Sequence, residues 1–210
     1  MSQDGVSVVH MGEWVDPATR GEFVRRLGEG LEQLGFVCVT GHGVPAELLD
    51  VAYAQARLVF ALPLATKQRY ETPANGRQRG YTSLGVEHAK DTMVPDLKEF
   101  WHVGRDLGAS HPLHRSGELP ANLFPGEAPG FELAMRRLFQ ELEAFAGRIL
   151  QALEQYLELE AGYFGHLTRD GNSVLRAINY PDLGGEYVPG AVRAAPHEDI
   201  NLMTVLPSST

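Results

Sequence analysis

The stretch that decides the fold is residues 197–206, which read His197-Glu198-Asp199-Ile200-Asn201-Leu202-Met203-Thr204-Val205-Leu206. The pattern predicts a β-strand. In a strand, residues i and i+2 project to the same face, so the imidazole of His197 and the carboxylate of Asp199 would stand side by side. We therefore take this pair as the candidate metal-ligating residues.

An imidazole and a carboxylate side by side occupy two adjacent corners of an octahedral metal site. One more His from a neighbouring strand would complete the 2-His-1-carboxylate set that holds non-haem Fe(II), with three positions open for cosubstrate and O₂. The H-x-D tripeptide alone is weak, because a chain of 210 residues with 8 His produces it readily by chance. The interpretation therefore depends on the rest of the chain.

The first third of the chain alternates short strands with helices. We predict a strand over 6–11, a helix from Asp16-Pro17 to Gly35, a strand over 36–39, a helix from Pro45 to Ala61, and a helical turn over 66–70. Asp as N-cap, Pro at the first helical position and Gly at the end are typical helix boundaries.

The remainder has a loop-rich middle, one long helix and a strand-rich end. We predict a loop over 76–85, a strand over 97–103, a long loop over 104–130, a helix from about Met135 to about Gly162, and a strand over 174–180. Apolar residues at steps of three and four give that helix one continuous stripe. Because helices come first and strands last, the order favours a β core with packed helices over a βαβαβ parallel sheet.

Composition restricts the function classes. The net charge is −9, from 18 basic and 27 acidic residues. An acidic chain without a long basic cluster is a poor match for nucleic acid, and no stretch approaches the ~18 apolar residues of a membrane span. The N-terminus is polar and acidic, unlike a secretory leader, so we expect a cytoplasmic protein. Cys38 lies alone in an apolar run, and we expect a buried structural thiol.

Residues 41–46 read Gly-His-Gly-Val-Pro-Ala and formally match the G-x-G-x-x-A pattern of dinucleotide-binding loops. The match is weak, because a second parallel strand with an acidic residue at its end does not follow. We prefer a tight strand-to-helix turn in which His42 is a hydrogen-bonded structural residue.

Five segments of the chain contain short sequence motifs that follow one another in a fixed order. They are 35–44; 60–63 followed by Lys67; Gly80-Tyr81 with Gly85, Glu87 and 96–99; 176–181; and 197–206. Together they resemble the isopenicillin N synthase-like family of Fe(II)- and 2-oxoglutarate-dependent oxygenases. Gly41 stands where that family usually has Asn.

The resemblance implies a fold that is mainly β with flanking helices (α+β), built on a double-stranded β-helix or jelly-roll core. It implies that His197 and Asp199 ligate Fe(II) and that Tyr180 contacts the 2-oxoglutarate cosubstrate or the substrate. Arg79 and Tyr81 would lie near the substrate mouth. The enzyme would oxidise a small organic molecule with O₂ and release succinate and CO₂.

The remaining matched polar residues are expected to be structural. We predict that Asp96, Lys98 and Glu99 hold the sheet together and that Arg176 forms an ion pair. No catalytic residue beyond the metal site is implied.

The resemblance divides the chain into 1–120, an N-terminal helical and strand region, and 121–210, the scaffold helix with the first part of the core. The family's pattern continues beyond the metal strand with a distal His ligand and an R-x-S whose Arg pairs with 2-oxoglutarate, whereas this sequence ends at Thr210. We expect a fragment of a longer oxygenase.

Three alternatives stay open. In the first, the chain is a natural truncation that serves as a non-catalytic binding or scaffold protein. In the second, another His of this chain or of a partner chain supplies the third iron ligand. In the third, the protein has the same fold but is an oxidase that uses no 2-oxoglutarate.

Overall fold

The computed structural model describes residues 5–87, 96–184, 190–194, 199 and 201–207. Their elements are β1 (Ser7–His10), α1 (Met11–Val15), α2 (Arg20–Leu34), β2 (Val37–Thr40), α3 (Ala46–Phe60), α4 (Leu64–Gln68), one 3₁₀ turn (Pro73–Asn75), β3 (Gly80–Thr82), β4 (Glu99–Gly104), α5 (Pro112–Arg115), α6 (Pro129–Tyr156), α7 (Tyr163–Thr168) and β5 (Val174–Asn179). The chain forms two compact units, Met1–Pro45 with Glu141–Gly171 and Ala46–Gln140 with Asn172–Thr210.

The first unit contains a parallel pair, β1 with β2, in which Ser7 is opposite Val37 and His10 is opposite Thr40. The connecting α2 buries Phe23 and Leu27 among other apolar residues on one face. The sequence analysis disfavoured a βαβαβ sheet, and the described part of this unit holds a single βαβ step.

Two element boundaries in this unit differ from the predicted ones. The His10 imidazole accepts a hydrogen bond from the Gly12 N–H at 2.9 Å, so a short helix begins at Met11, where the predicted strand continued. The Asp16 carboxylate accepts from the Ala18 N–H at 2.9 Å and closes a turn, so α2 begins at Arg20 rather than at Asp16. In both places a local side-chain to backbone bond competes with the regular element.

The expectation of a buried Cys38 is wrong, because Cys38 is exposed. The run around it is apolar at every position, but in a strand only alternate side chains face the helix that covers the pair. Val37 and Val39 take the half-buried positions and Cys38 lies on the open face, opposite Val8 of β1, which is exposed too.

The Gly41–Ala46 segment is the tight turn that the sequence analysis preferred. Gly41 and Gly43 have φ of 63° and 81°, a left-handed conformation that glycine adopts without strain. The His42 imidazole accepts from the Val44 N–H at 3.1 Å, and the His42 carbonyl accepts from Arg148 Nη2 at 2.8 Å. His42 is therefore a hydrogen-bonded structural residue of the turn, as predicted.

The second unit contains an antiparallel sheet in the order β3-β4-β5. Tyr81 is opposite Trp101, and Trp101 is opposite Ala177, so these three residues share one face of the sheet. Trp101 is fully buried on that face and meets the Phe131 ring of α6 edge-on at 5.5 Å. The opposite face carries Phe100 and its neighbours across the strands.

Two strand predictions in this unit fail. β3 lies in the predicted loop 76–85, because its three residues become a strand through pairing with β4 rather than through local preference. Within the predicted strand 197–206, the described residues, 199 and 201–206, form no strand.

Among the described residues, no helix has the length and apolar character that crossing a membrane requires.

Close packing in the first unit gives a stability prediction. A Cβ at Gly28 of α2 would lie 2.2 Å from the Tyr156 ring, whereas a Cβ at Gly147, inside α6, would meet nothing within 4 Å. We expect Gly28→Ala to lower the free energy of unfolding by about 1–3 kcal/mol through overpacking. Gly147→Ala should raise it by roughly 0.5–1 kcal/mol, because alanine favours a helix. Urea unfolding of both variants checks this, and equal effects would contradict the packing.

Candidate functional site

The carboxylate of Glu99, at the start of β4, is buried in the second unit. Its Oε2 accepts from Lys67 Nζ at 2.7 Å and from the Tyr81 hydroxyl, and its Oε1 accepts from Asn179 Nδ2 at 2.8 Å. Lys67 Nζ also donates to the carbonyl of Phe60 at 2.9 Å. All three donors come from different elements, so this one carboxylate ties α4, β3 and β5 to β4.

Burial first, and then the bond to Glu99, raise the pKa of the Tyr81 hydroxyl above its ordinary value. Tyr81 is therefore a neutral phenol that donates to a carboxylate. Its ring lies in the core beside Trp101, with centroids 6.1 Å apart. The predicted substrate role of Tyr81 stays a prediction, and its contacts here are structural.

A second polar network begins at Lys98, which is buried between two carboxylates. Lys98 Nζ lies 2.9 Å from Asp96 and 2.8 Å from Glu87, and Glu87 also accepts from Arg176 Nη1 at 3.2 Å. Burial acts to raise the pKa of the Glu87 carboxyl, but Lys98 and Arg176 outweigh it and hold that pKa below its ordinary value. The expected structural ion pairs of Asp96, Lys98, Glu99 and Arg176 are thus confirmed.

His102 connects this network to the loop before β3. Its Nδ1 bonds to the carbonyl of Arg77 at 2.9 Å, so Nδ1 carries the hydrogen, and its Nε2 accepts from Arg176 Nε at 2.7 Å. Burial, with the charge of Arg176 second, lowers the pKa of His102 to about 4. The sequence analysis did not single out His102, although its place two residues after Phe100 on a strand puts both on one face.

Arg79 lies in the interior rather than at an opening. Its guanidinium is fully buried and donates to the Gln78 carbonyl at 2.7 Å and to Asn172 Oδ1 at 3.0 Å. It fills the space over Gly104, where a Cβ would lie 1.9 Å from Arg79 Cζ. Arg79 therefore links the β3 loop to the chain just before β5, and its predicted place near the substrate mouth stays a prediction.

The two faces of β5 have different surroundings. Asn179 points into the Glu99 cluster, while Arg176 and Ile178 lie on the opposite, open face. Tyr180 follows directly after β5 and is exposed. The bond from Asn179 to Glu99 thus anchors the backbone immediately before the predicted cosubstrate residue.

Of the two predicted iron ligands, Asp199 is described and His197 lies outside the described residues. Asp199 is exposed, and its Oδ2 accepts from the Thr204 hydroxyl at 2.5 Å. An exposed carboxylate is a suitable oxygen donor for Fe(II). Within the described ranges no cluster of three or more His, Cys, Asp or Glu could hold a metal ion. The metal site therefore stays a prediction.

Comparisons with known proteins identify the family of the chain. Residues 6–127 match the family model described as non-haem dioxygenase in morphine synthesis N-terminal. The chain belongs to this family of Fe(II)- and 2-oxoglutarate-dependent oxygenases.

Relatives of the family show the same likeness. The 2-oxoglutarate-Fe(II) type oxidoreductase hxnY of Emericella nidulans is 30% identical over 171 residues, which cover 79% of this chain and 49% of the relative. Validamycin A dioxygenase of Streptomyces hygroscopicus subsp. limoneus is 28% identical over 219 residues, covering 96% and 57%. The chain thus spans about half of the length of the curated relatives it matches.

A solved structure of a similar protein shows that the likeness extends from the sequence to the fold. A 2OG-Fe(II) oxygenase family protein from Caulobacter crescentus superposes with a TM-score of 0.75 at 36% identity, covering 85% of this chain and 57% of that one. The chain therefore shares its fold with a protein of this family over most of its length. The predicted division at residue 120 stays a prediction, although the family model ends nearby, at 127.

The neutral, buried His102 gives a pH prediction. The unfolded chain takes up a proton near the ordinary pKa of 6.5, but the folded chain does so only near 4. The unfolded state therefore binds more protons in this window, and stability falls as the pH drops through it. We expect the wild-type chain to lose about 3 kcal/mol more than His102→Gln between pH 7 and pH 4.

Urea unfolding at a series of pH values measures this difference. His166→Gln, at an exposed histidine, is the control and should keep the wild-type profile. If His102→Gln follows the wild-type profile too, the imidazole is not held neutral by its surroundings.

Proposed function

We propose that the whole protein is a non-haem Fe(II)- and 2-oxoglutarate-dependent oxygenase that oxidises a small organic substrate with O₂ and releases succinate and CO₂. The observation that carries the proposal is the family membership over residues 6–127. The Glu99 cluster supports it, because Lys67, Tyr81, Glu99 and Asn179 belong to the family-like segments and meet at one carboxylate.

We propose His197 and Asp199 as two of the three iron ligands. An imidazole nitrogen and a carboxylate oxygen are the donor types that suit non-haem Fe(II). Iron with 2-oxoglutarate, when bound, supplies the oxidising chemistry. The residues of this chain hold the site: the Thr204 hydroxyl orients the Asp199 carboxylate through its bond to Oδ2.

Tyr180 is proposed to contact the 2-oxoglutarate carboxylate or the substrate. Its exposed position supports this, as does the anchoring of the preceding Asn179, which limits how far the backbone at residue 180 can move. Arg79 and Tyr81 are proposed to lie near the substrate mouth. Their buried hydrogen bonds would hold β3 and the loop before it in place there.

The finer description of the fold belongs to the proposal as well. We propose that the β3-β4-β5 sheet is part of a double-stranded β-helix (jelly-roll) core, with α6 packed on its outside. The antiparallel pairing and the division into one packed and one open face support it. We further propose a cytoplasmic protein that acts on small molecules rather than on nucleic acid or membranes, as its net charge of −9 favours.

The metal assignment is tested by Fe(II) titration of the protein as its full reading frame encodes it. We expect stoichiometric binding that is lost in His197→Ala and in Asp199→Ala. Glu198→Ala is the matched control, because residue 198 lies between the two ligands in sequence and is not one of them, and it should bind as the wild type does. Undiminished binding in both ligand variants would overturn the assignment.

The cosubstrate is tested by measuring succinate release together with O₂ uptake. Equal amounts of the two, both dependent on added 2-oxoglutarate, are expected. Substrate-dependent O₂ uptake without succinate would instead indicate the oxidase alternative.

A further inference from the structure

A cleft of about 240 Å³ lies on the open face of the β3-β4-β5 sheet. Thr82 of β3, Phe100 and His102 of β4, and Arg176 of β5 form its floor, and Glu87 stands at its side. The cleft is somewhat smaller than the roughly 300–1,000 Å³ of typical ligand pockets, so its size suits one group of a ligand rather than a whole large molecule.

The Thr82 hydroxyl is a buried polar group that lacks a partner. Thr82 is 1% exposed, and its Oγ1 has no hydrogen-bond partner among the described residues. Buried hydroxyl groups are nearly always satisfied, because leaving one unpaired is costly. A bound group that offers a hydrogen-bonding atom at this point would satisfy it.

The Arg176 guanidinium is held in a fixed orientation at the opposite side of the cleft. Its carbon lies 4.4 Å from the centroid of the Phe100 ring. Nε donates to His102 and Nη1 donates to Glu87, whereas Nη2 has no hydrogen-bond partner within the described ranges. Since the side chain is 37% exposed, its free edge can meet a ligand.

The charged residues that line the cleft are ion-paired. Arg77 pairs with Glu71, Arg176 pairs with Glu87, and the buried Lys98 pairs with both Glu87 and Asp96. His102 is neutral, as its pKa of about 4 requires. Each charged residue that lines the cleft is thus ion-paired, whereas the buried Arg79, whose charge also acts on His102, lies outside the lining.

We infer that this cleft binds a neutral polar group of the substrate, one that carries a hydrogen-bond acceptor beside a donor, as a carboxamide or a lactam does. The acceptor meets Arg176 or Thr82, and the donor meets Glu87. The inference deepens the proposed function and rests on it, because Arg176 belongs to β5, the strand that ends directly before Tyr180.

The test uses small probes and no iron, so it stands apart from the test of the proposed function. The three probes are similar in size. δ-Valerolactam carries a hydrogen-bond donor beside an acceptor, valerate carries an anionic charge, and cyclohexanone carries an acceptor alone. Binding to the full chain is followed by ¹⁵N chemical shifts of the protein. We expect the lactam to shift the cleft residues at millimolar concentration and to bind at least about tenfold more tightly than either other probe.

Two variants probe the two sides of the cleft. Thr82→Val and Arg176→Met should each weaken lactam binding roughly 5–10-fold, because each removes one hydrogen bond. Arg57→Met, at an exposed arginine of α3, should bind as the wild type does. Thr82→Val should be as stable as the wild type or more so, since its hydroxyl has no partner to lose; a merely structural Thr82 would give a less stable variant with unchanged binding.

Tighter binding of valerate would overturn the neutral-group inference in favour of an anion. Absence of shifts at the cleft, or equal lactam binding by Thr82→Val, would overturn the site. If the lactam binds as expected and the protein fails to bind Fe(II), the proposed function fails and the cleft remains.

Discussion

A carboxylate buried in a protein interior must be met by donors, and in this chain the Glu99 carboxylate organises the second unit for that reason. Three side chains reach it from α4, β3 and β5, and each belongs to a segment far away in sequence. Removing any one of these three side chains would leave the buried carboxylate short of a hydrogen-bond donor in the low dielectric of the core. The position of β3 and β5 beside β4 therefore depends on this one buried carboxylate.

This constraint also separates the two faces of the sheet. Glu99, Trp101 and Asn179 point to the packed face, so the alternation of a strand turns Phe100 and Arg176 to the other one. The open face carries the second network and the cleft, and β5 ends directly before Tyr180. One face of the sheet is thus packed, and the other carries the cleft that we propose as a binding site.

Local periodicity was enough to predict the end of α2 at Gly35 and the strand β5, because each depends on residues near in sequence. It also predicted the helix α6, which runs over Pro129–Tyr156 rather than from about Met135 to about Gly162. The family-like motifs, rather than periodicity, identified Lys67 and Glu99, and only as motif members. Their contact spans 32 positions and that of Asn179 with Glu99 spans 80, so tertiary pairing had to reveal them. β3 and the exposed face of Cys38 were missed for the same reason: neighbouring elements, not local preference, determine them.

The most direct measurement is a double-mutant cycle on the buried pair, with Lys67→Met, Glu99→Gln and both together, by urea unfolding. Lys67→Met alone should cost about 3–5 kcal/mol, because it leaves a buried carboxylate without its cation. The double variant should recover much of this loss, giving a coupling above ~2 kcal/mol. The same cycle on the exposed pair of Arg25 and Glu22 is the control and should give a much smaller coupling, because solvent screens that pair. Effects of Lys67→Met and Glu99→Gln that add within ~0.5 kcal/mol would contradict the organising role of Glu99.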